Sequence, residues 1–227
     1  MRGRRLHDIK HDYFDTIDSA MKAYLLGFFM ADGSIEVNQT GRFCVRFIQK
    51  ESDANIIKLL QSEISPSSKI GIVTRGKNVY HRISITSTEL GNALIALGLM
   101  VRKTYHEFSL PKIPKQFEVD LIRGFFDGDG TSGIYVGPHG VVRQVRIASY
   151  SKKVLNDIHN LLTKRKIRSS LLTSGGYWYL AIQSFKEWYQ YLYPGITTFP
   201  RKQKNCELCT LTSSEIKSLK ALDPCNA

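Results

Sequence analysis

Cysteine is scarce in this 227-residue chain. Cys44, Cys206, Cys209 and Cys225 are too few and too unevenly placed for a disulfide framework, which points to a reducing compartment. Long apolar runs are missing as well. The longest, Ala23 to Ala31, falls far short of the roughly 20 residues that span a bilayer, and no pattern of charge, apolar core and small-residue cleavage site opens the sequence. An intracellular protein with no membrane association is therefore expected, in a bacterial or phage-encoded cytoplasm or in an organelle. Acids too are in short supply, 20 against 32 lysines and arginines, and the net charge of +12 favours a polyanionic partner. A merely soluble basic protein would carry the same balance, so the position of the charge has to decide.

What the chain does have is an internal repeat. A hydrophobic content of 42% is ample for one large domain or two small ones. Shifting the sequence by 97 residues superposes Gly27, Phe28, Phe29, Asp32 and Gly33 of "LLGFFMADGSI" on Gly124, Phe125, Phe126, Asp129 and Gly130 of "IRGFFDGDGT". The same shift pairs Ile85 with Ile182, Ser87 with Ser184 and Gly98 with Gly195; at a shift of 100, Arg46 meets Arg146. Two diverged copies follow, differing by a small insertion near the first hairpin.

Each copy reads as αββαββα, an α+β unit. A buried helix (about 19–32, or 118–129) precedes two alternating strands, "FCVRFIQK" or "VVRQVRIA" among them. An amphipathic helix, two further strands and a closing helix near 87–97 or 184–193 complete the unit. The expected organisation is a basic, flexible N-terminal arm (1–17), a first half (18–105), a Pro-bearing linker (106–117), a second half (118–211) and a polar tail (212–227).

A helix that is apolar nearly all round is expected to be buried, and Gly27 with Ala31, or Gly124 with Gly128, puts small residues four apart on one face. Two such faces can approach closely. If the helices run parallel, Asp32 and Asp129 meet at the bottom of the interface, with Gly33 and Gly130 supplying left-handed turns that stop each helix. Two carboxylates at helix C-termini repel each other and the dipole, which costs stability unless divalent cations sit between them. Taken alone, each Asp-Gly pair would pass as turn chemistry. The repetition argues otherwise.

The two blocks resemble the paired signature of the LAGLIDADG homing endonucleases in their single-chain form, over nearly the whole chain. That resemblance implies motif helices at a pseudo-twofold interface, antiparallel sheets forming a saddle over double-stranded DNA, and Asp32 and Asp129 as ligands of two or more Mg²⁺ ions, with Ala31 and Gly128 beside them. It also implies a monomer that cuts both strands across the minor groove and leaves 3′ overhangs. Met30 stands where the signature often has an acid, and Arg123 is a second departure. The strand end "RFIQKESD" nominates Gln49 and Lys50, whose counterparts in the second half are Ser149 and Tyr150. "GLMVRKT" nominates Lys103 near the scissile phosphate, and "FPRKQKN" nominates Lys202, then Lys204, as its partner. These residue types suit phosphodiester hydrolysis, in which a metal activates water and neutralises developing charge while a lysine assists.

Strand alternation assigns the DNA-reading side chains. In the first half these are Arg46, Lys50, Tyr80, Arg82 and Ser84, with Arg75 and Lys77 nearby; in the second they are Gln144, Arg146, Tyr177, Tyr179 and Gln183. Such a set suits base edges in a major groove, with Arg matched to guanine and Gln to adenine, although many such contacts go to phosphate. Other features are set aside. "GIY" at 133–135 lacks a matching second tripeptide, Cys206-x-x-Cys209 has no second pair for zinc, and His7 and His11 lack partners at ligand spacing. Two alternatives stay open on the same scaffold, an intron RNA maturase and a DNA-binding regulator with a degenerate nuclease core.

Overall fold

Ser19 opens the first helix by accepting from the Lys22 backbone at 3.2 Å. This helix, α1 (Ala20–Asp32), buries eight residues in a row from Ala23 to Met30, as its all-round apolar sequence requires. The computed structural model, which describes residues 8–101, 106–195 and 197–222, continues with β1 (Ser34–Val37), β2 (Phe43–Lys50), α2 (Asn55–Ile64), β3 (Gly71–Arg75), β4 (Asn78–Thr86) and α3 (Thr88–Ala96). The second copy repeats that order with α4 (Glu118–Asp129), β5 (Gly130–Gly137), β6 (Gly140–Ser149), α5 (Lys152–Lys164), β7 (Ser169–Ser174), β8 (Tyr177–Ile182) and α6 (Phe185–Leu192). Two helices follow it, α7 (Pro200–Leu208) and α8 (Ser213–Leu222). The architecture is α+β with two matching halves, and the expected αββαββα order appears twice.

Both sheets are antiparallel and share one plan, with strand orders β1-β2-β4-β3 and β5-β6-β8-β7. Register shows which side chains face the core. Val45 pairs with Ile85 and Phe47 with Ile83, all buried, while Arg46 pairs with Ser84, Ile48 with Arg82 and Lys50 with Tyr80 on the opposite face. In the second sheet Ile147 and Leu180 pair inward, while Arg146 pairs with Ala181 and Ala148 with Tyr179 outward. Helices cover the inward faces: Phe29 of α1 meets Phe47 edge-on at 4.6 Å between ring centroids, and Phe126 of α4 meets Trp188 of α6 at 5.3 Å. A single hydrophobic core runs through both halves.

What joins the halves is a backbone-to-backbone crossing of α1 and α4. A Cβ placed on Gly27 would collide with the Leu121 carbonyl, and one on Gly124 with the Tyr24 carbonyl. A Cβ on Gly128 would strike that of Ala31. Contacts advance together along both helices, so they run parallel and end at one level.

One segment differs from expectation, and another takes a definite form. The N-terminal arm is fixed from residue 8 onward, because Tyr13, Phe14 and Ile17 are buried and the Tyr13 hydroxyl donates to Glu63 at 3.0 Å. His11 belongs to this packing too, its Nδ1 lying 2.7 Å from Ser87 Oγ, and His7 lies outside the described residues. Apolar residues spaced through a charged arm were the signal for this. Residues 213–222 of the polar tail form α8, which buries Ile216, and the Arg143 guanidinium donates to the Leu211 carbonyl just before it at 2.7 Å.

Gly27→Ala and Gly124→Ala should each destabilise the protein by at least the 1–3 kcal/mol, roughly, of ordinary overpacking, since backbone cannot move aside as a side chain does. Gly137→Ala, where an added Cβ meets nothing within 4 Å, should stay within about 0.5 kcal/mol of the parent. Urea denaturation of the three variants makes the comparison.

Candidate active site

The parallel crossing delivers two acids to one place. Asp32 and Asp129 are the last residues of α1 and α4, and a Cβ on Gly128 would stand 3.2 Å from Asp32 Oδ2. The Asp32 carboxylate therefore lies against the final turn of the other half's helix. It is exposed, and Asp129 is half-buried. Each helix is stopped by the glycine that follows, whose N–H donates to the carbonyl four residues back.

These glycines correct the expected left-handed turns. Gly33 (φ −76°, ψ 153°) and Gly130 (φ −83°, ψ 152°) are extended, a conformation open to any residue. Space demands glycine instead. A Cβ on Gly33 would come within 2.7 Å of the Phe29 ring, and Gly130 is pressed on Phe126 in the same way. The chain passes directly under an aromatic ring from helix to strand, which holds each acid at the strand's entry.

Three side chains at these helix ends shape the site. Gln49, at the end of β2, donates from Nε2 to Asp32 Oδ2 at 2.6 Å, so the expected glutamine is in contact with its carboxylate. Lys202, on α7, is also brought to the site, but its ammonium is turned inward. It donates to the carbonyls of Phe126, Asp127 and Gly128, at 3.2, 2.5 and 3.0 Å. It is 8% exposed, and burial pulls its pKa down while Asp127, Asp32 and Asp129 pull it up. Its place at the end of α4 offsets the negative end of that helix. In this arrangement Lys202 is held against the end of α4 by those three carbonyls.

The third side chain escaped the sequence reading. Asp127 is fully buried and takes hydrogen bonds from the Tyr24 hydroxyl of α1 and from Thr197, both at 2.7 Å. Burial pushes its carboxyl up to about 6, against the pull of those bonds and of Lys202 and Arg123. Tyr24 also receives the Thr198 N–H at 3.1 Å, and Phe199 packs on Phe28 at 5.7 Å. The loop before α7 is thereby tied to the first half's helix. The signal was present: Asp127 aligns with Met30 in the repeat, and an acid exchanged for methionine inside an apolar helix needs a buried partner. Arg123 is a comparable case, paired with Asp120 at 2.5 Å and donating to the Leu192 carbonyl.

The remaining expected residues divide by half. Ser149, opposite Gln49 in the repeat, is nearly buried and accepts from Ser151 N at 3.1 Å, while Tyr150 stacks on Tyr177 at 4.1 Å. Lys103 lies outside the described residues, and Lys204 is exposed on α7. Arg46 is paired with Glu36 at 2.8 Å, the Gln144 amide lies against the Arg146 guanidinium, and Gln183 donates to Ser170 at 2.7 Å. Arg75 lies over the Tyr80 ring at 5.5 Å, and Lys50, Lys77, Arg82, Ser84 and Arg146 are exposed. Tyr179 is half-buried on the outward face. Cys206 and Cys209 are buried thiols, burial pushing Cys206 up to about 12, and Cys209 donates to the Gly133 carbonyl at 3.4 Å.

The donor set fits a hard divalent cation. The residues that end α1 and α4 offer the Asp32 and Asp129 carboxylates, oxygen donors with no sulfur or imidazole, whereas the Gly128 carbonyl, expected beside them, already accepts from Lys202 at 3.0 Å. Among the described residues no three His, Cys, Asp or Glu side chains converge on one point, so water and a substrate phosphate would have to complete any coordination.

A pseudo-symmetric pair of α+β units, joined through acid-ended helices beneath two outward sheet faces, defines the structural class. Family comparison agrees with it: the model of the LAGLIDADG-like domain matches residues 19–94 and 116–192, one segment in each half. The chain belongs to the LAGLIDADG-like domain family. Among solved structures it is similar to variants of the homing endonuclease I-DmoI (16% identity, 78% of this chain and 97% of that one, TM-score 0.54). It is also similar to the LAGLIDADG meganuclease I-AabMI bound to uncleaved DNA (13%, 85% and 92%, 0.57). A third is I-SmaMI bound to an uncleaved DNA target with calcium ions (13%, 88% and 97%, 0.57). No curated protein matches the sequence.

The raised carboxyl of Asp127 fixes a pH dependence. Unfolded, it titrates near 3.8; folded, near 6, so between those values the folded state holds more protons and stability falls as pH rises, levelling above about 6. In Asp127→Asn that slope should vanish. The variant's stability relative to the parent should rise by up to roughly 3 kcal/mol from pH 4 to pH 7, as read from urea denaturation at each pH.

Proposed function

We propose that this protein is a site-specific DNA endonuclease that makes metal-dependent double-strand breaks. The observation that carries the reading is the convergence of Asp32 and Asp129 on one level between the two halves, with Gln49 donating to Asp32. Two carboxylates at the negative ends of two helices suit a bound divalent cation, which would offset both the dipoles and the repulsion between the acids. The family relatives described as bound to DNA, with manganese or calcium present, support the same reading.

The outward faces of both sheets carry the polar and basic side chains suited to a duplex, on a chain of net charge +12. Because the halves are diverged copies, the target is a long asymmetric sequence bound by one monomer. Asp32 and Asp129 would hold Mg²⁺, which lowers the pKa of an attacking water and neutralises charge on the phosphate. Gln49 orients the Asp32 carboxylate, and Lys202 steadies the end of α4 that presents Asp129. Two acids from two halves serve two strands, and cleavage across the minor groove would leave 3′ overhangs. The setting is a reducing intracellular compartment.

The test begins by selecting a target from a randomised duplex library, with Mg²⁺ for cleavage and Ca²⁺ for binding. On that target, Asp32→Asn and Asp129→Asn should each lower cleavage by more than about 100-fold, the scale of losing one charge-stabilising group, while binding in Ca²⁺ persists. Gln49→Ala should lower it roughly 10- to 100-fold, as removal of a residue supporting a metal ligand does. Undiminished cutting by either Asp variant sinks the assignment. Binding without cutting by the parent would make it a DNA-binding regulator, and binding of intron RNA alone would make it a maturase.

A further inference from the structure

The two outward sheet faces are chemically unlike. On the first, Arg46, Lys50, Arg75 and Arg82 share one side of β2, β3 and β4 with Tyr80 and Ser84, and the apolar Ile48 and Val73 among them are half-buried. The turn joining β3 and β4 adds Lys77. On the second face, register places Thr131, Arg146, Ala181 and Ser170 in one row, and Ala148, Tyr179 and Leu172 in the next. Tyr135 pairs with Val142 toward the hairpin tip, and Ser174 with Tyr177 at the other. Arg146 is the one outward cation within β5 to β8; Arg168 stands just before β7.

Exposure sharpens the contrast. Val142 is 60% exposed, Tyr135 57%, Leu172 46% and Tyr177 37%, on a face where solvent alone would select polar side chains. These side chains belong to the same surface as Arg146 and Gln144, so they are continuous with the proposed DNA interface. The turns repeat the difference, with Arg42 and Lys77 at the first face against Pro138, His139, Gly175 and Gly176 at the second.

A major groove offers such a face one apolar feature, the 5-methyl group of thymine, whereas guanine offers the paired acceptors that arginine matches. We propose that the two half-sites of the target are read by different chemistry: the first sheet reads guanine through its arginines, and the second reads thymine methyls through Tyr135, Val142, Leu172 and Tyr177. The inference rests on the endonuclease reading above and names its substrate more closely. The target is accordingly lopsided, with guanine concentrated under the first sheet and A·T pairs under the second.

The experiment uses the full chain and the duplex recovered from the library in Ca²⁺. Thymines of each half-site are replaced by uracil, which keeps pairing and removes only the methyl, and the dissociation constant is measured. Uracil in the half-site under the second sheet should weaken binding by roughly fourfold for each methyl in contact, the scale of burying one such group. Uracil in the other half-site should leave binding unchanged. Footprinting with Tyr135→Ala, whose side chain is exposed, assigns the half-sites by the end that loses protection. Equal sensitivity of both half-sites, or none in the second, overturns the inference and leaves the endonuclease reading standing. Failure to recover any specific duplex overturns that reading, and the inference with it.

Discussion

At Gly27 and Gly124 the backbones of α1 and α4 touch with no side chain between them, and the rest of the molecule is arranged around that contact. Close approach fixes both rotation and register, because each glycine accepts the other helix's carbonyl into the space of its missing Cβ. Once register is fixed, the helix ends coincide, and the acids that terminate them must share a site. The sheets follow without a break, since β1 starts two residues after Asp32 and β5 starts directly after Asp129. One contact therefore sets the distance between the acids and, through the strands, the relation of the two outward faces.

Holding carboxylates at that junction costs stability, and the two halves offset the cost differently. In the first, Gln49 reaches across to Asp32. In the second, the corresponding Ser149 is occupied with Ser151, and the compensation comes from Lys202 donating to three carbonyls of α4. A buried ammonium and a buried carboxyl, Lys202 and Asp127, thus stand behind Asp129, whereas the first half has Met30 at the position of Asp127. The pseudo-symmetry holds for the backbone and fails for the electrostatics. That is what divergence of copies permits, since packing constrains both halves equally but each needs its own charge balance.

The repeat made most of the fold legible, because glycines, aromatic pairs and Asp-Gly steps recur at one spacing and force one reading on both halves. Strand alternation likewise placed Arg46, Arg82 and Arg146 outward and Gln49 on the inward phase. Less legible were features outside the repeat. The arm's Tyr13, Phe14 and Ile17 pack without a periodic pattern to announce them, and α8 buries Ile216 from within a polar stretch. The direction of the Lys202 side chain had no sequence signal, since a lysine in "FPRKQKN" has the composition of a solvated run. For the glycines after the acids, the Asp-Gly pattern points to a conformational need where a steric one applies.

The segment from Thr197 to Lys202 lies across the seam between the halves. Thr198 and Phe199 engage α1, Arg201 approaches Asp53 at 3.7 Å, and Lys202 closes the end of α4. All of these residues come after both sheets in the chain. During synthesis the two acids and their supporting sheets therefore emerge well before the cation that balances them, so the centre reaches its final charge only after Lys202 has left the ribosome. Assembly order thus places the balancing of the acid-bearing helix end after the completion of both sheets.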